Sequence, residues 1–536
     1  MTTITPFAAG SYLTTRNATQ LAALKNQLND LSNQVSSGKV ATTYGGLGAG
    51  RSTALSAQAM LSALTGYASG LDAAKTRTDL AVTSLTQVAT LGTSARDALN
   101  NGVQSAAAST IAVRATALSD LQTALDTLNQ SAAGNYLFGG GNSTTQPVVD
   151  VNTILNGSTN DDGTQKLGLQ GFIADQVNAD LGSGMGRLTV SLTGTNPVVV
   201  SEPNDASRGN FGFTLGGATS STPSVPTAIT AQPVAGTTTT PGTVSFTVNS
   251  QPAVNDSVTV TLKMADGTST TLTLTAISGS TDPSATGTGA TFKIGANTAE
   301  TADNLNAALG NALTTAAGTT LTANSTAKAA QNFFTGSKNG GPSGTGIMPN
   351  RIVYAGTVPT GYRAATKDDT VLWYQGENTY TDPPKPQPTS AIDTQSVQIS
   401  ASASIGTGAR ANDGSIQKVL AGLATMAYAL PATTTGDVNT AYQAVVDRAG
   451  SLLTSAYTSP SVQDTVTQLS LASARLSNAK STNAATQNTV QNTLDGIEQA
   501  PTEEVVAKLL DVQNRLQASY QITATLSKLS LVNYIS

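Results

Sequence analysis

Apolar residues recur at alternating spacings of three and four near both ends of the chain. Near the start, the repeat consists of Leu21, Leu24, Leu28, Leu31 and Val35. Near the end, it consists of Val505, Leu509, Val512, Leu516 and Leu526, with Ser519 and Thr523 in phase before the last. This spacing places side chains along one stripe of a helix and is typical of a coiled-coil seam. Both ends are therefore predicted to be helical, and these residues form the predicted assembly seam.

The same periodicity predicts further helices. They are 13–135 with a glycine-rich break at 45–50, 412–430, 436–457, and two long helices that begin after Pro460 and Pro501. The helix after Pro460 carries one stripe of residues spaced by seven, namely Leu469, Leu476, Asn483, Val490 and Ile497. A polar residue on such a stripe lowers stability but can fix the register of paired helices. Asn483 is therefore either a register-setting residue or a solvated surface residue.

The middle of the chain follows a different pattern. Residues 141–400 are rich in Gly, Thr, Ser and Pro and contain short alternating runs. The clearest is a hairpin of 258–262 and 271–274 around Asp266-Gly267, a dipeptide that favours tight turns. A strand near 290–294 and a short helix at 301–314 are predicted to follow.

Helical ends and a strand-rich middle predict an α+β multidomain fold. We expect the N- and C-terminal helices to pair in one coiled-coil bundle, with the β-rich middle projecting outward. The predicted domains are 1–140 (N-terminal half of the bundle), 141–225 (first part of the β-rich middle), 226–335 (a separate small β-rich insertion), 336–410 (second part of the middle) and 411–536 (C-terminal half of the bundle).

The composition argues against catalysis. The chain has 536 residues, a net charge of −5 and only 11% charged residues, so no basic surface for nucleic acid is predicted. It contains no cysteine and no histidine, which removes disulfides, thiolate nucleophiles, the commonest general base and the commonest metal ligand. We therefore expect a folded, secreted, non-enzymatic protein with no cofactor, no metal site and no catalytic residue.

The N-terminal segment does not resemble a cleaved signal peptide. Its first positive charge is Arg16, and no apolar run of about 18 residues occurs in the chain. We expect no membrane insertion and a secretion route that leaves the N-terminus intact.

Several short patterns have a catalytic or binding interpretation beside an ordinary one. Some serine enzymes use the pattern Ser-x-x-Lys. It occurs here at Ser36–Lys39, Ser325–Lys328, Ser415–Lys418 and Ser477–Lys480. Such matches are expected by chance in a serine-rich chain. The run Asn160–Gly163 is predicted to be a polar turn rather than a cation site. Trp373 and Tyr374 are either a sugar-stacking platform or a core anchor.

Other segments carry a family resemblance. Leu31–Lys39, with the pattern L-S-x-x-x-S-S-G-K, resembles the segment that closes the first helix of the flagellin and hook-associated protein family. Further similar segments are Tyr44–Gly48, Asn135–Gly140, Val371–Gly376, Arg410–Asn412 and Leu529–Ile535. The Asp-Asp-Ala-Ala-Gly run of common flagellins is absent here, and the Tyr-Gly-Gly-Leu form at 44–47 looks like the hook–filament junction branch of that family.

The resemblance implies a structural subunit of the bacterial flagellum that lies between hook and filament. It implies export by the flagellar type III apparatus, an export chaperone, and contacts with copies of itself and with hook-side and filament-side subunits. The alternatives are a filament-forming flagellin and, more distantly, a secreted adhesin or a phage-tail-like fibre.

Overall fold

The computed structural model describes residues 6–221, 228–237, 239–278, 290–339, 346–377, 390–434 and 437–535. Long helices and short strands alternate along it, in agreement with the predicted α+β class. Its contacts divide the chain into two units. Unit 1 consists of 1–72, 398–403 and 476–536, and unit 2 of 73–397 and 404–475. No described helix carries an apolar stretch long enough to cross a membrane.

The elements alternate as follows. The helices are α1 (Pro6–Ser37), α2 (Arg51–Gly102), α3 (Ala106–Thr127), α4 (Val151–Asn156), α5 (Leu169–Leu181), α6 (Thr298–Ala316), α7 (Thr322–Phe334), α8 (Gly414–Ala429), α9 (Val438–Ser455), α10 (Val462–Glu498) and α11 (Thr502–Ile535). The strands are β1 (Ser131–Ala132), β2 (Asn135–Tyr136), β3 (Ser158–Thr159), β4 (Gln165–Lys166), β5 (Thr189–Leu192), β6 (Val198–Ser201), β7 (Thr214–Ser221), β8 (Ile229–Val234), β9 (Thr243–Val248), β10 (Ser257–Lys263), β11 (Ser269–Ile277), β12 (Thr291–Lys293), β13 (Asn350–Ala355), β14 (Val358–Ala364), β15 (Ser396–Gln398) and β16 (Ser404–Gly406). The predicted terminal helices are thereby confirmed, and the glycine-rich break at 45–50 falls in a 3-10 turn at Tyr44–Gly50.

Unit 1 is mainly helical. It contains α1, α11, the first part of α2 and the last part of α10. Helix α1 contacts α11, and the start of α2 packs against the end of α10. Segments from the two ends of the sequence therefore form this unit together.

Unit 2 has a large helical core. Helices α3, α7, α8 and α9 bury their apolar faces against one another and against the segment around Trp373. Helix α8 is buried on nearly all sides, since Val419, Leu420, Leu423 and Ala424 are all fully covered. A helix that is apolar all round belongs inside a larger core, so α8 is the central helix of this part of unit 2.

A second core of unit 2 lies between two four-stranded sheets and helix α6. The sheet orders are β12-β11-β10-β7 and β5-β6-β9-β8. The predicted hairpin is confirmed: β10 and β11 are antiparallel, with Val258 opposite Leu274. Its turn includes Gly267 at φ +83°, a conformation that favours glycine. The predicted strand near 290–294 is β12, and the predicted short helix at 301–314 lies within α6.

The predicted insertion at 226–335 needs a correction at its start. Strand β10 pairs with β7, and β9 pairs with β6, although β6 and β7 precede residue 226. A unit cut at 226 would leave both sheets incomplete. Sheet pairing between distant segments is not visible in local periodicity, which is why the sequence placed the boundary too late.

One continuous helical segment joins the two cores of unit 2. Helix α6 packs in the sheet core, α7 packs in the helical core, and a five-residue π-helical turn at Ala317–Leu321 connects them. A second link is the Arg448 guanidinium of α9, which lies 3.0 Å from the Asp266 carboxylate in the β10–β11 turn. Arg448 also donates to the Thr268 hydroxyl at 2.6 Å. The two cores are therefore held together by both covalent and polar connections.

Candidate assembly surface

The Ser-Ser-Gly-Lys segment ends helix α1. Gly38 adopts φ +68°, and its N–H donates to the Gln34 carbonyl at 2.9 Å. The Ser37 hydroxyl donates to the Asn33 carbonyl at 2.7 Å. A glycine with positive φ just past the last turn is a common helix terminator, because other residues are strained there. The motif thus has a local structural role.

Two backbone hydrogen bonds then join this end of α1 to the corner between α10 and α11. The Val40 N–H donates to the Glu498 carbonyl at 2.7 Å, and the Ala500 N–H donates to the Gly38 carbonyl at 2.9 Å. The Lys39 ammonium lies 3.6 Å from the Glu498 carboxylate. We call residues 38–40 and 498–500 the clasp. It fixes the chain's two terminal helices at one end.

A small apolar cluster lies beside the clasp. Leu47, Ala54, Ala57 and Leu61 pack against Val490, Leu494 and Ile497. A side chain added at Gly50 would place its Cβ 2.8 Å from a methyl carbon of Ile497. Glycine at position 50 therefore allows the start of α2 to approach α10 closely.

Helices α1 and α11 run antiparallel. Lys39 bridges Gln499 at one end of the pair, and a groove further along is lined by residues such as Leu24 and Ser519. On α11, Val505 and Val512 are buried, with 4% and 7% of their surface exposed. Half-buried members of the predicted seam are Leu21, Leu24, Leu28, Leu31, Leu509 and Leu516. These predicted residues therefore lie on two helices that contact each other.

Val35 and Leu526 are the two remaining members of the predicted seam. Val35 is exposed, at 38%. It lies in the last turn of α1, level with the first turn of α11, where Glu503 and Glu504 are also exposed. The side chain of Leu526 and those of the Leu529–Ile535 motif lie outside the described residues.

The structure adds an outer apolar stripe on α11 that periodicity did not reveal. Val506, Leu510 and Tyr520 lie on one side of the helix and are 37%, 53% and 50% exposed. Val506 and Leu510 directly follow the seam residues Val505 and Leu509 in sequence. These paired apolar residues were the available signal, since they widen the apolar face beyond one stripe. Exposed apolar residues along one helix mark a surface suited to a partner.

A second junction of motifs lies in unit 2. The Ala411 N–H donates to the Phe138 carbonyl at 3.0 Å, and the Glu377 N–H donates to the Gly139 carbonyl at 2.8 Å. The Tyr374 hydroxyl donates to the Glu377 carbonyl at 2.8 Å. Burial raises the pKa of this phenol, so it remains a donor. The segments 135–140, 371–377 and 409–412 therefore meet in one hydrogen-bonded junction, although long stretches of chain separate them.

Trp373 is a core anchor. Its side chain is fully buried, and its indole N–H donates to the Phe334 carbonyl at 2.9 Å. The Phe334 ring lies edge-on at a centroid distance of 5.4 Å. The alternative of an exposed sugar-stacking platform is therefore wrong.

The other candidate patterns form ordinary polar contacts. The buried Ser325 hydroxyl donates to Asp180 at 2.7 Å, whereas the Lys328 ammonium donates to the Tyr362 hydroxyl at 2.8 Å. In the predicted polar turn, the Asp162 carboxylate accepts from the Thr164 N–H at 2.9 Å. Within the described residues, no group of His, Cys, Asp or Glu side chains could hold a metal ion.

The feature that stands out is thus the pair of terminal helices with its outer stripe. Comparison with known proteins adds no assignment: no protein-family model matches this chain, and no curated protein matches it.

Proposed function

We propose that this protein is a structural subunit of the bacterial flagellum, an adaptor between hook and filament, with no catalytic activity. The observation that carries the proposal is the two-sided apolar face of α11. Its inner stripe, with Val505 and Val512, is buried, whereas Leu510 and Tyr520 remain about half exposed. An apolar stripe left uncovered by its own chain is stabilised when another helix covers it.

The proposed partners are copies of the same chain and neighbouring hook-side and filament-side subunits. In this proposal the terminal helices form a coiled-coil bundle with those of adjacent copies and line an inner tube, and the β-rich middle faces outward. The family resemblance supplies the remaining parts: an extracellular flagellar location, export through the type III apparatus, and a chaperone that covers the apolar helices before export.

The placement of the resembling segments supports the proposal. Ser36–Lys39 contributes to the clasp, and segments near 135–140, 371–376 and 410–412 meet in the junction of unit 2. Three of these four segments contain a glycine with positive φ or a buried aromatic, such as Gly38 or Tyr374. Residues that resemble a family at several positions are thus the ones that hold distant parts of this chain together.

Electron microscopy of purified protein, alone and mixed with hook fragments from the same organism, tests the proposal. We expect no long polymers from the protein alone and a layer of added subunits at the ends of hooks. Long filaments from the protein alone would favour a flagellin. Protein that neither polymerises nor binds hooks would overturn the assignment.

A variant series links the result to the outer stripe. Leu510→Ser and Tyr520→Ser should each raise the protein concentration needed to decorate hooks by roughly fivefold, because about 1 kcal/mol of apolar burial is lost per side chain. The control is Ile522→Ser, because Ile522 is also exposed and apolar but lies on the opposite side of the same helix. Equal effects of all three variants would show that the outer stripe is not the binding surface.

A further inference from the structure

Unit 1 contains a buried polar residue that its apolar packing does not explain. Asn483 of α10 is only 5% exposed and lies between Leu476 and Val490 on the stripe with a seven-residue spacing. Among the side chains described in unit 1, it is the only polar one that is buried. Of the two interpretations of the sequence, a solvated surface residue is therefore wrong.

The hydrogen bonding of Asn483 is incomplete. Its side-chain Nδ2 donates to the Leu64 carbonyl of α2 at 2.9 Å, whereas its Oδ1 is buried without a hydrogen-bond partner among the described residues. A buried amide oxygen without a donor destabilises a fold. A leucine of similar size would remove that cost and add apolar burial. Stability therefore does not account for asparagine at this position.

Register offers an explanation, because charged contacts define it only weakly along this pair of helices. Between Arg51 and Asp72 of α2 and between Lys480 and Asp495 of α10 there is no charged residue. The Lys480 ammonium lies 2.6 Å from the Asp72 carboxylate, but both side chains are more than half exposed, so the pair contributes little. Leucine, alanine and threonine at seven-residue spacing pack similarly after a shift of one repeat.

The carbonyl that Asn483 reaches is accessible in one register. A helical side chain covers the turn before it, so the residue four positions on shields a carbonyl. Four positions after Leu64 stands the small Ala68. One repeat away in either direction, the corresponding residues are Leu61 and Lys75, which are long. A shifted pairing would therefore leave the donor of Asn483 unpaired as well as its acceptor.

We propose that Asn483 is the positioning residue that selects the register of α2 against α10 in unit 1. It excludes shifted pairings through its amide and lowers the stability of the unit in doing so. The register determines where the clasp forms, and thus the level of α11 beside α1. The role of Asn483 in register does not depend on the proposed function. The importance of this register for assembly does rest on the proposed function.

The test uses the Lys480–Asp72 contact as a reporter of register. A carbodiimide joins an amine directly to a touching carboxylate, so mass spectrometry of the full-length protein should find the Lys480–Asp72 product. In Asn483→Leu, we expect this product to fall several-fold and other carboxylates to be coupled to Lys480. At the same time, amide exchange over 476–494 should slow by about 5–30-fold because the unit is more stable.

The matched control is Asn488→Leu, the same change at an exposed position of α10, which should alter neither measurement. If Asn483→Leu keeps the single Lys480–Asp72 product, or if its exchange becomes faster, the proposal is wrong. Asn483→Ala is the second variant, because it removes the amide without adding bulk. A single unshifted product in Asn483→Ala would equally overturn the proposal. Hook binding is not one of these measurements. A failure of the proposed flagellar function can therefore be distinguished from a failure of the register proposal.

Discussion

Breaking α11 at Val512 should abolish cohesion between subunits without disturbing the rest of the chain. Val512 lies within the first third of the 34-residue helix, well past its first turn, and is 7% exposed. Proline at this position removes one helical hydrogen bond and clashes with the preceding turn, at a cost of about 3 kcal/mol or more. Loss of the buried valine side chain adds roughly 1.5 kcal/mol. Together these effects should raise the concentration needed for assembly at least about 100-fold.

The matched control is proline in the first turn of the same helix. The Val505 N–H is the first to bond back, to the Pro501 carbonyl at 2.9 Å, so the Glu503 N–H has no helical acceptor to lose. Glu503→Pro should therefore assemble almost as the unmodified protein does. Cosedimentation with hook fragments over a concentration series measures both variants.

The two variants, Val512→Pro and Glu503→Pro, can also be tested in cells. Val512→Pro should be secreted into the medium, and filament subunits should be shed with it, leaving bare hooks. Full filaments on cells that carry Val512→Pro would refute the role of α11 as a cohesive helix. Protein that stays in the cytoplasm would place the defect in export instead, and the cosedimentation result would then decide about cohesion.

Three further outcomes are expected. Hydrogen exchange of the monomer should be fast over 12–35 and 502–525, where most seam residues are half-buried, and slow over 106–127; equal protection would show that the terminal helices are stable without partners. Deleting 226–335 should yield insoluble protein, because β6 and β7 would lose their partners β9 and β10; soluble, secreted protein would show that the sheets can close without them. Burial raises the pKa of the Asp266 carboxyl, but hydrogen bonds from Thr268 and the charge of Arg448 together hold this pKa below its usual value. The stability from this ionised group is present above the unfolded pKa of about 3.9 and is lost as pH falls through the folded value. Asp266→Asn should therefore lower the urea midpoint at pH 7 and lower it less at pH 2, where less of the carboxyl is ionised, and an equal loss at both would contradict the ionic role.

Local patterns predicted the elements well because each needs only nearby residues. Seven-residue spacing predicted the terminal helices, and the Asp266-Gly267 turn predicted the β10–β11 hairpin. The motif at Ser36–Lys39 could be recognised from sequence, although its backbone bond to Ala500 could not. Contacts between distant segments depend on tertiary packing that periodicity does not encode.

The candidate site was predicted in part for the same reason. The inner stripe of α11 follows from spacing alone. The outer stripe depends on which face α1 covers, and this requires knowledge of the antiparallel pairing. Asn483 was visible as an irregularity in an apolar stripe, but whether it is buried could be decided only from its neighbour α2.

The clasp also sets the order in which the newly made chain can fold. Gly38 is synthesised about 460 residues before its partner Ala500. At about 5–20 residues per second, roughly 20–90 s pass between the two. During this interval α1 has no α11 to contact, whereas helices α2 and α3 and later segments of unit 2 are already available. Unit 1 therefore closes after unit 2, and helix α1 stays accessible to other proteins until α11 has been synthesised.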